Sequence, residues 1–570
     1  MFIKLVWPKI SFAWFLLTVP GICSSQSPST AGRLISQLGC SYCHTTLAVR
    51  ATFKDKLPNH SYSGLRYNPA YLFDFLQHPV KVRKHLGVAV MPDFHLDEQE
   101  ALALALFLAT QNQLGPDWPV YPQEILNIQT EQKKLTVQGK MVIPAVEDSV
   151  CLGCHTLDGK GGVFAVDLAS VSYRLRPEWV KRYLSSPTLF NVPTTTMPEV
   201  FYHYDPGKRQ FSQLLPYAAE EIKNIIRHLF SFNRDKRKKL QQNFIVAQKK
   251  HPHISAKKGE QIFAALNCAA CHQHLTIKPP DRQFAPDLRK EGFRVRKKWL
   301  TSFLRKPFSV RPFGFIPGSG SRMPDFRLLP GMVQQLTALL MEQKSVDAAL
   351  LSMFMPQEIT AYSMQKVRNL LREKISCLAC HRLGKQGGRI GPDLSSVPDR
   401  LNPLYMFNQI KNPHAVSPGA IMPKIPLPEK NVKLLFNFLY QQEDQRQDSS
   451  YVSLTEQPLI SLKNKTGAEV NYLNRCALCH GSAGDGKGYN AAFLPVTPTL
   501  HADSSYMSRR PDDTLFDGIS AGGFILNKSN FMPPWGFSIS PGEIRNLVAY
   551  IRTLCNCAGP AWSRDDKVRK

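Results

Sequence analysis

The sequence predicts an all-α protein built from five tandem helical domains, on three observations. The pattern Cys-x-x-Cys-His occurs at Cys40 to His44, Cys151 to His155, Cys268 to His272, Cys377 to His381 and Cys476 to His480. Successive motif histidines, at 44, 155, 272, 381 and 480, lie 111, 117, 109 and 99 residues apart, the size of a small domain. Helix start signals and helical apolar spacing bracket most of the motifs. At 570 residues the chain is in any case too long for a single core.

Taken in order, residues 1–25 read as a signal peptide, with Lys4 and Lys9, an apolar run from Ile10 to Val19 too short to span a bilayer, and small residues from Gly21 to Ser25. Cleavage after Ser25 leaves no anchor; lipid attachment at Cys23 is the alternative. Domain 1, residues 26–118, opens with Ser29 or Thr30 as the cap of a helix leading to Cys40. It closes with Asp97 and Glu100 at capping-box spacing before an apolar helix to Thr110. Gly115 to Pro119 then breaks the chain. Domain 2, residues 119–250, has an alternating stretch from Leu135 to Ile143 that reads as a strand, an amphipathic stretch from Ala219 to Phe232, and a basic linker from Arg234 to Lys250. Domain 3, residues 251–346, begins with Ser255 capping a helix from Lys257 to Asn267 and ends near Leu328 to Gln343. Domain 4, residues 347–450, has helices from Gln357 to Lys374 and Glu429 to Gln441, then a polar linker through Ser450. Domain 5, residues 451–558, carries the best helix start of the chain: Ser540 as cap, Pro541 at the first position and Glu543 at the third, ahead of Ile544 to Leu554. Residues 559–570 are a basic tail.

Cys-x-x-Cys-His is the attachment signature of a c-type haem, two thiols for the vinyl groups and an imidazole for the iron. A redox dithiol or half a zinc site is the competing reading of one copy. Five zinc sites, however, would need ligands that the remaining Cys23, Cys555 and Cys557 cannot supply. Cys40, Cys43, Cys151, Cys154, Cys268, Cys271, Cys377, Cys380, Cys476 and Cys479 are thus assigned to five covalent haem c groups, with His44, His155, His272, His381 and His480 as proximal ligands. For the distal side, Met91, Met197, Met323, Met422 and Met532 lie 47, 42, 51, 41 and 52 residues after their histidines, each followed by proline. Histidine is the competing distal ligand, with His85, His95, His203, His414 and His501 available. After signal removal Cys555 and Cys557 remain, as free thiols, a local disulfide or an intermolecular bridge.

The first four domains share a frame. Arg66, Tyr71, Leu76 and Pro79 are matched by Arg174, Trp179, Leu184 and Pro187, by Arg294, Trp299, Leu304 and Pro307, and by Arg400, Tyr405, Ile410 and Pro413. Eight residues before each arginine stand Pro58, Val166, Pro286 and Pro392, which follow their motif histidines by 14, 11, 14 and 11 residues. The alternation points to a two-haem unit copied once. Domain 5 lacks the frame and carries a glycine-rich run from Gly481 to Gly488; without a following Ser or Thr and a preceding strand it is no phosphate loop, and its glycines let the backbone pass close to a porphyrin.

These motifs resemble class I cytochrome c, and the whole chain resembles a multihaem c-type cytochrome of five such domains: two duplicated two-haem units plus one distinct C-terminal domain. The resemblance implies that a carbonyl at Pro58, Pro286 or Pro392 accepts the hydrogen bond of its own domain's proximal imidazole. Val166 keeps the carbonyl but not the rigidity. It also implies that the frame arginines pair with haem propionates, the bland alternative being surface arginines. With every iron six-coordinate the expected function is electron transfer in the periplasm. The alternatives are a haem-bearing subunit of a periplasmic oxidoreductase, or a multihaem reductase or peroxidase with one labile distal ligand. Expected partners are redox proteins: other cytochromes, a terminal oxidase or a periplasmic dehydrogenase. The net charge of +27 fits docking to an acidic partner or to an anionic membrane surface. Nucleic acid is not expected, since no aromatic-interleaved motif accompanies the lysines.

Overall fold

The computed structural model describes residues 30–43, 57–82, 91–114, 118–119, 121–126, 150–190, 197–272, 274, 276–278, 285–312, 322–342, 355–418, 420–443, 451–456 and 465–563. The chain is mostly helical. Its main helices are α1 (Thr30–Gln37), α2 (Pro69–Gln77), α3 (Glu98–Thr110), α4 (Pro177–Ser185), α5 (Ala218–Leu229), α6 (Arg234–Lys250), α7 (Ala256–Ala265), α8 (Lys297–Arg305), α9 (Pro330–Glu342), α10 (Ala361–Glu373), α11 (Pro403–Lys411), α12 (Glu429–Tyr440), α13 (Gly467–Arg475) and α14 (Pro541–Cys555). The sheet among the described residues is two antiparallel hairpins, β1 (Thr156–Leu157) with β2 (Lys160–Gly161) and β3 (Tyr202–Asp205) with β4 (Gln210–Gln213). The expected signal peptide, the alternating stretch near residues 135–143 and the end of the tail lie outside the described residues.

Local chemistry accounts for the helix ends. Asp97 Oδ1 accepts from the Glu100 amide at 2.8 Å and Glu100 Oε2 accepts from the Asp97 amide at 3.1 Å, so α3 starts on a full capping box. Ser540 and Glu543 build the same box on α14, and Ser255 caps α7. The basic run expected as a linker is instead the seventeen-residue α6. Leu240, Phe244 and Ala247, spaced by four and three, form a narrow apolar stripe buried against α2 and α3, while the lysines stay on the wet faces. Three buried residues at helical spacing were enough to fold a segment whose composition reads as solvated.

Packing departs from contiguous units in the first and third stretches. Helix α7 crosses α3, at a contact so close that a Cβ on Gly259 would lie 1.9 Å from the Ala103 carbonyl oxygen. Helix α1 packs on α9, its Leu34, Ile35 and Leu38 joining Leu336 and Leu340 in one core. The leading helices of residues 26–118 and 251–346 are therefore exchanged. Elsewhere the pairs come from the same stretch: α4 with α5, α10 with α12, and α13 with α14.

Backbone bridges join neighbouring stretches in matching places. Tyr67 pairs antiparallel with Leu175 and Val295 with Leu401, each one residue past a frame arginine. Asp93 and Asp325 exchange both backbone hydrogen bonds at 2.8 and 2.7 Å, bringing the two Met-Pro-Asp-Phe sequences together. Beside them Arg322 and Glu100, 2 % and 1 % exposed, form a bidentate pair with contacts of 2.5 and 2.9 Å. Glu100 also accepts from the Leu454 amide at 2.7 Å, and Arg322 donates to the Val452 carbonyl at 2.9 Å. Residues 100, 322 and 452–454, far apart in sequence, thus meet on one ion pair. No helix among the described residues is long and apolar enough to cross a membrane.

Candidate haem sites

Each described motif folds as a short helical turn ending at its histidine. In Cys377–Cys380 this places both sulfurs on one side and turns His381 so that its Nδ1 donates to the Pro392 carbonyl at 2.8 Å, leaving Nε2 for a metal. Gly391 is required at this contact, since a Cβ there would lie 2.6 Å from the His381 ring. His155 donates to the Val166 carbonyl at 2.7 Å, the same contact made without proline. His480 donates to the Thr499 carbonyl at 2.8 Å, a partner that lies outside the shared frame.

His272 departs from expectation. Its Nδ1 donates to Pro58 at 3.1 Å, not to Pro286, fourteen residues downstream. The reason is the helix exchange: α7 carries the Cys268 motif onto the Pro58 side of the first stretch. Correspondingly Met91 packs in one core with Cys268, and Met323 packs in another with Cys40. Met91, expected opposite the Cys40 motif, thus shares a core with the Cys268 motif, and Met323, expected opposite the Cys268 motif, shares one with Cys40. His44 lies outside the described residues.

Two large apolar cavities adjoin the motifs. One, of about 1090 Å³, is lined by Cys377, Cys380, His381 and Met422 and continues to Cys476, Cys479, His480 and Met532. The Met422 sulfur accepts from Gln409 Nε2 at 3.8 Å. The other, of about 380 Å³, is lined by Cys40, Cys43, Cys268, Cys271, His272, Met91 and Met323. Met197 stands half-buried beyond the second motif.

The electrostatics suit a thioether-bound, dianionic ring. Burial pushes the Cys40, Cys268, Cys377 and Cys476 thiols up to about 12 and Cys43 to about 11, against the depressed values of reactive dithiols. Among the described residues no cluster of three or more acidic, cysteine or histidine side chains could hold a metal ion. His381 and His480 are held below the usual imidazole range by burial, neutral and able to ligate. Arg294, Arg311 and Arg400 line both cavities, with the Glu291 carboxylate 2.6 Å from Arg294. Burial and the Arg294 charge beside it push Arg311 down to about 10. A wall with three arginines suits the propionates of a bound haem.

The frame arginines have a second role. Arg66 lies over the Trp179 ring at 5.3 Å and Arg174 over Tyr71 at 5.5 Å, so each stacks on the aromatic of the other stretch. They are buried, not surface residues, and Arg66 Nε and Arg174 Nε find no protein acceptor. Both orphaned donors fit an anionic group near the first two stretches.

Of the competing histidines, His501 is displaced to the proximal side. It stacks on His480 with centroids 4.1 Å apart and is held by the Tyr472 hydroxyl at 2.9 Å. His60 packs against His272 at 4.2 Å, its ring tilted by 41° instead of stacked. The sequence carries a signal for these neighbours: each stands two residues after the residue whose carbonyl the proximal ligand uses, Pro58 or Thr499. His203 pairs with Glu199 at 2.7 Å and His95 stacks on Tyr451, while His85 lies outside the described residues. Cys555 and Cys557 form a local disulfide.

The family model described as cytochrome C oxidase, cbb3-type, subunit III matches residues 463–551, a span holding the Cys476 motif and Met532. No curated protein matches the chain. The chain therefore contains a cytochrome c domain, which implies a covalently bound haem c and electron transfer.

Proposed function

We propose that the protein is an exported pentahaem c-type cytochrome that passes electrons between redox proteins in the periplasm. What supports this reading is the repetition of one arrangement. Four described motif histidines, His155, His272, His381 and His480, each donate Nδ1 to a backbone carbonyl beside a pair of cysteines. A bound haem supplies reversible one-electron chemistry. The chain supplies the rest. The carbonyls orient the imidazoles and raise their basicity, the methionines occupy the opposite face, and the apolar cavities exclude water. The buried arginines balance the propionates. Histidine–methionine ligation raises reduction potentials, which suits donors and acceptors at the oxidising end of a respiratory chain, such as another cytochrome, a terminal oxidase or a periplasmic dehydrogenase.

Intact mass of the purified protein tests the count, with five haems per chain expected and fewer refuting it. The oxidised spectrum should show a methionine-to-iron charge-transfer band, and the reduced protein should be indifferent to carbon monoxide. Prompt carbon monoxide binding at one haem would instead favour the alternative, a reductase or peroxidase with a labile ligand.

A further inference from the structure

The attachment motifs do not lie in space in the order in which they occur in the chain. We infer, resting on the five-haem reading above, that they form one row in the order second, third, first, fourth, fifth, with Met91 serving the haem on Cys268 and Cys271 and Met323 the haem on Cys40 and Cys43.

Each junction of the row is visible. The second motif's stretch meets the composite third site through the Tyr67 and Leu175 bridge, where the Asn68 amide donates to Arg174 at 2.9 Å and the Arg176 amide to Arg66 at 3.0 Å. The third and first motifs adjoin: one cavity is lined by both cysteine pairs, and by Asn267, the residue before Cys268. The first and fourth meet at Arg294, Arg311 and Arg400, which form a wall shared by the two cavities, and the Val295 and Leu401 bridge lies beside it. The fourth and fifth are clamped by Asn490, fully buried, whose Nδ2 donates to the Ala379 carbonyl at 2.6 Å and to the Cys479 sulfur at 3.4 Å.

The exchange is reciprocal, as a local two-fold requires. Across the Asp93 and Asp325 ladder, each aspartate Oδ1 accepts from the amide two residues on at 2.7 Å, and His95 and Arg327 both take positive φ, 53° and 50°. A sequence difference accompanies it. The exchanged motifs stand fourteen residues from their frames, His44 to Pro58 and His272 to Pro286, whereas the unexchanged ones, His155 to Val166 and His381 to Pro392, stand eleven away. The first motif, nearest the N-terminus in sequence, is thereby the centre of the row, and the second and fifth are its ends.

Dipolar broadening between two marked irons tests the order in the full-length oxidised protein. Replacing a distal methionine by alanine marks that haem by its high-spin signal. The double variant Met323→Ala with Met422→Ala marks neighbours in this row and should show mutual broadening; Met197→Ala with Met323→Ala marks sites separated by the third and should show none. The opposite pattern overturns the row. If single variants yield no high-spin signal, the haem or methionine reading has failed, a separate result. An unsubstituted measurement then decides the exchange: in the fully reduced, diamagnetic protein, methyl NOEs from Leu34 or Ile35 should reach Leu336 or Leu340, and NOEs to Leu104 or Leu108 instead would overturn it.

Discussion

At the residue scale, single atoms carry much of the architecture. Gly259 sits at a very close helix crossing, because the atom facing its missing Cβ is a backbone oxygen that cannot swing away. Gly259→Val should therefore force α7 off α3 and cost several kcal/mol, about the 1–3 of ordinary overpacking or more. Gly331→Ala, where a Cβ meets nothing within 4 Å, should leave the thermal midpoint unchanged. Arg322 is the second such point. Its loss would bury the Glu100 carboxylate without its cation, so Arg322→Ala is expected to cost about 3–5 kcal/mol, seen as a lower denaturation midpoint. Arg322→Lys should recover only part, since a lysine cannot make the bidentate contact. The proximal neighbours His60 and His501 were legible only in hindsight, because an offset of two from an accepting carbonyl carries no chemistry until the fold shows which carbonyl is used.

At the element scale, helix starts were legible where a cap is made by side chains within four residues. The boxes on α3 and α14 formed as read from Asp97 with Glu100 and Ser540 with Glu543. Ser540→Ala should lower the unfolding midpoint of the C-terminal stretch by an amount equivalent to about 1 kcal/mol. The Ser540 amide and hydroxyl hold the Glu543 carboxyl below its ordinary value of 4.5. A depressed carboxyl stabilises the fold above its unfolded value and stops doing so as pH falls through the folded one. The stability gap between the protein and Glu543→Gln, followed by circular dichroism, should therefore narrow as pH drops below about 4.5. Helix α6 was not legible. A charge run outvotes three apolar residues in composition, yet those three, aligned on one face and met by α2 and α3, decide the conformation.

At the scale of the whole molecule, the cavities and the charge set behaviour. The described cores are built around cavities that a bound haem would complete, so haem removal should unfold the chain instead of leaving a stable hollow protein, as a loss of far-UV helical signal would record. The net charge of +27 predicts electron-transfer rates to an acidic partner that fall as ionic strength rises; rates indifferent to salt would count against steering. The positive residues at the cavity wall, Arg294, Arg311 and Arg400, belong to a different class, since buried charges are screened little by salt.

The sequence by itself determined what each site is made of. Cys-x-x-Cys-His, the Met-Pro pairs, the arginine frame and the helix caps are local patterns, and local patterns survive without knowledge of what lies opposite. Only the tertiary structure decided which segments share a site. Two stretches share one residue frame, so nothing in the residues says whether the helix before Cys40 returns to the trailing helix of its own stretch or to that of the other. Chain order therefore suggested His272 with Pro286, and packing paired it with Pro58.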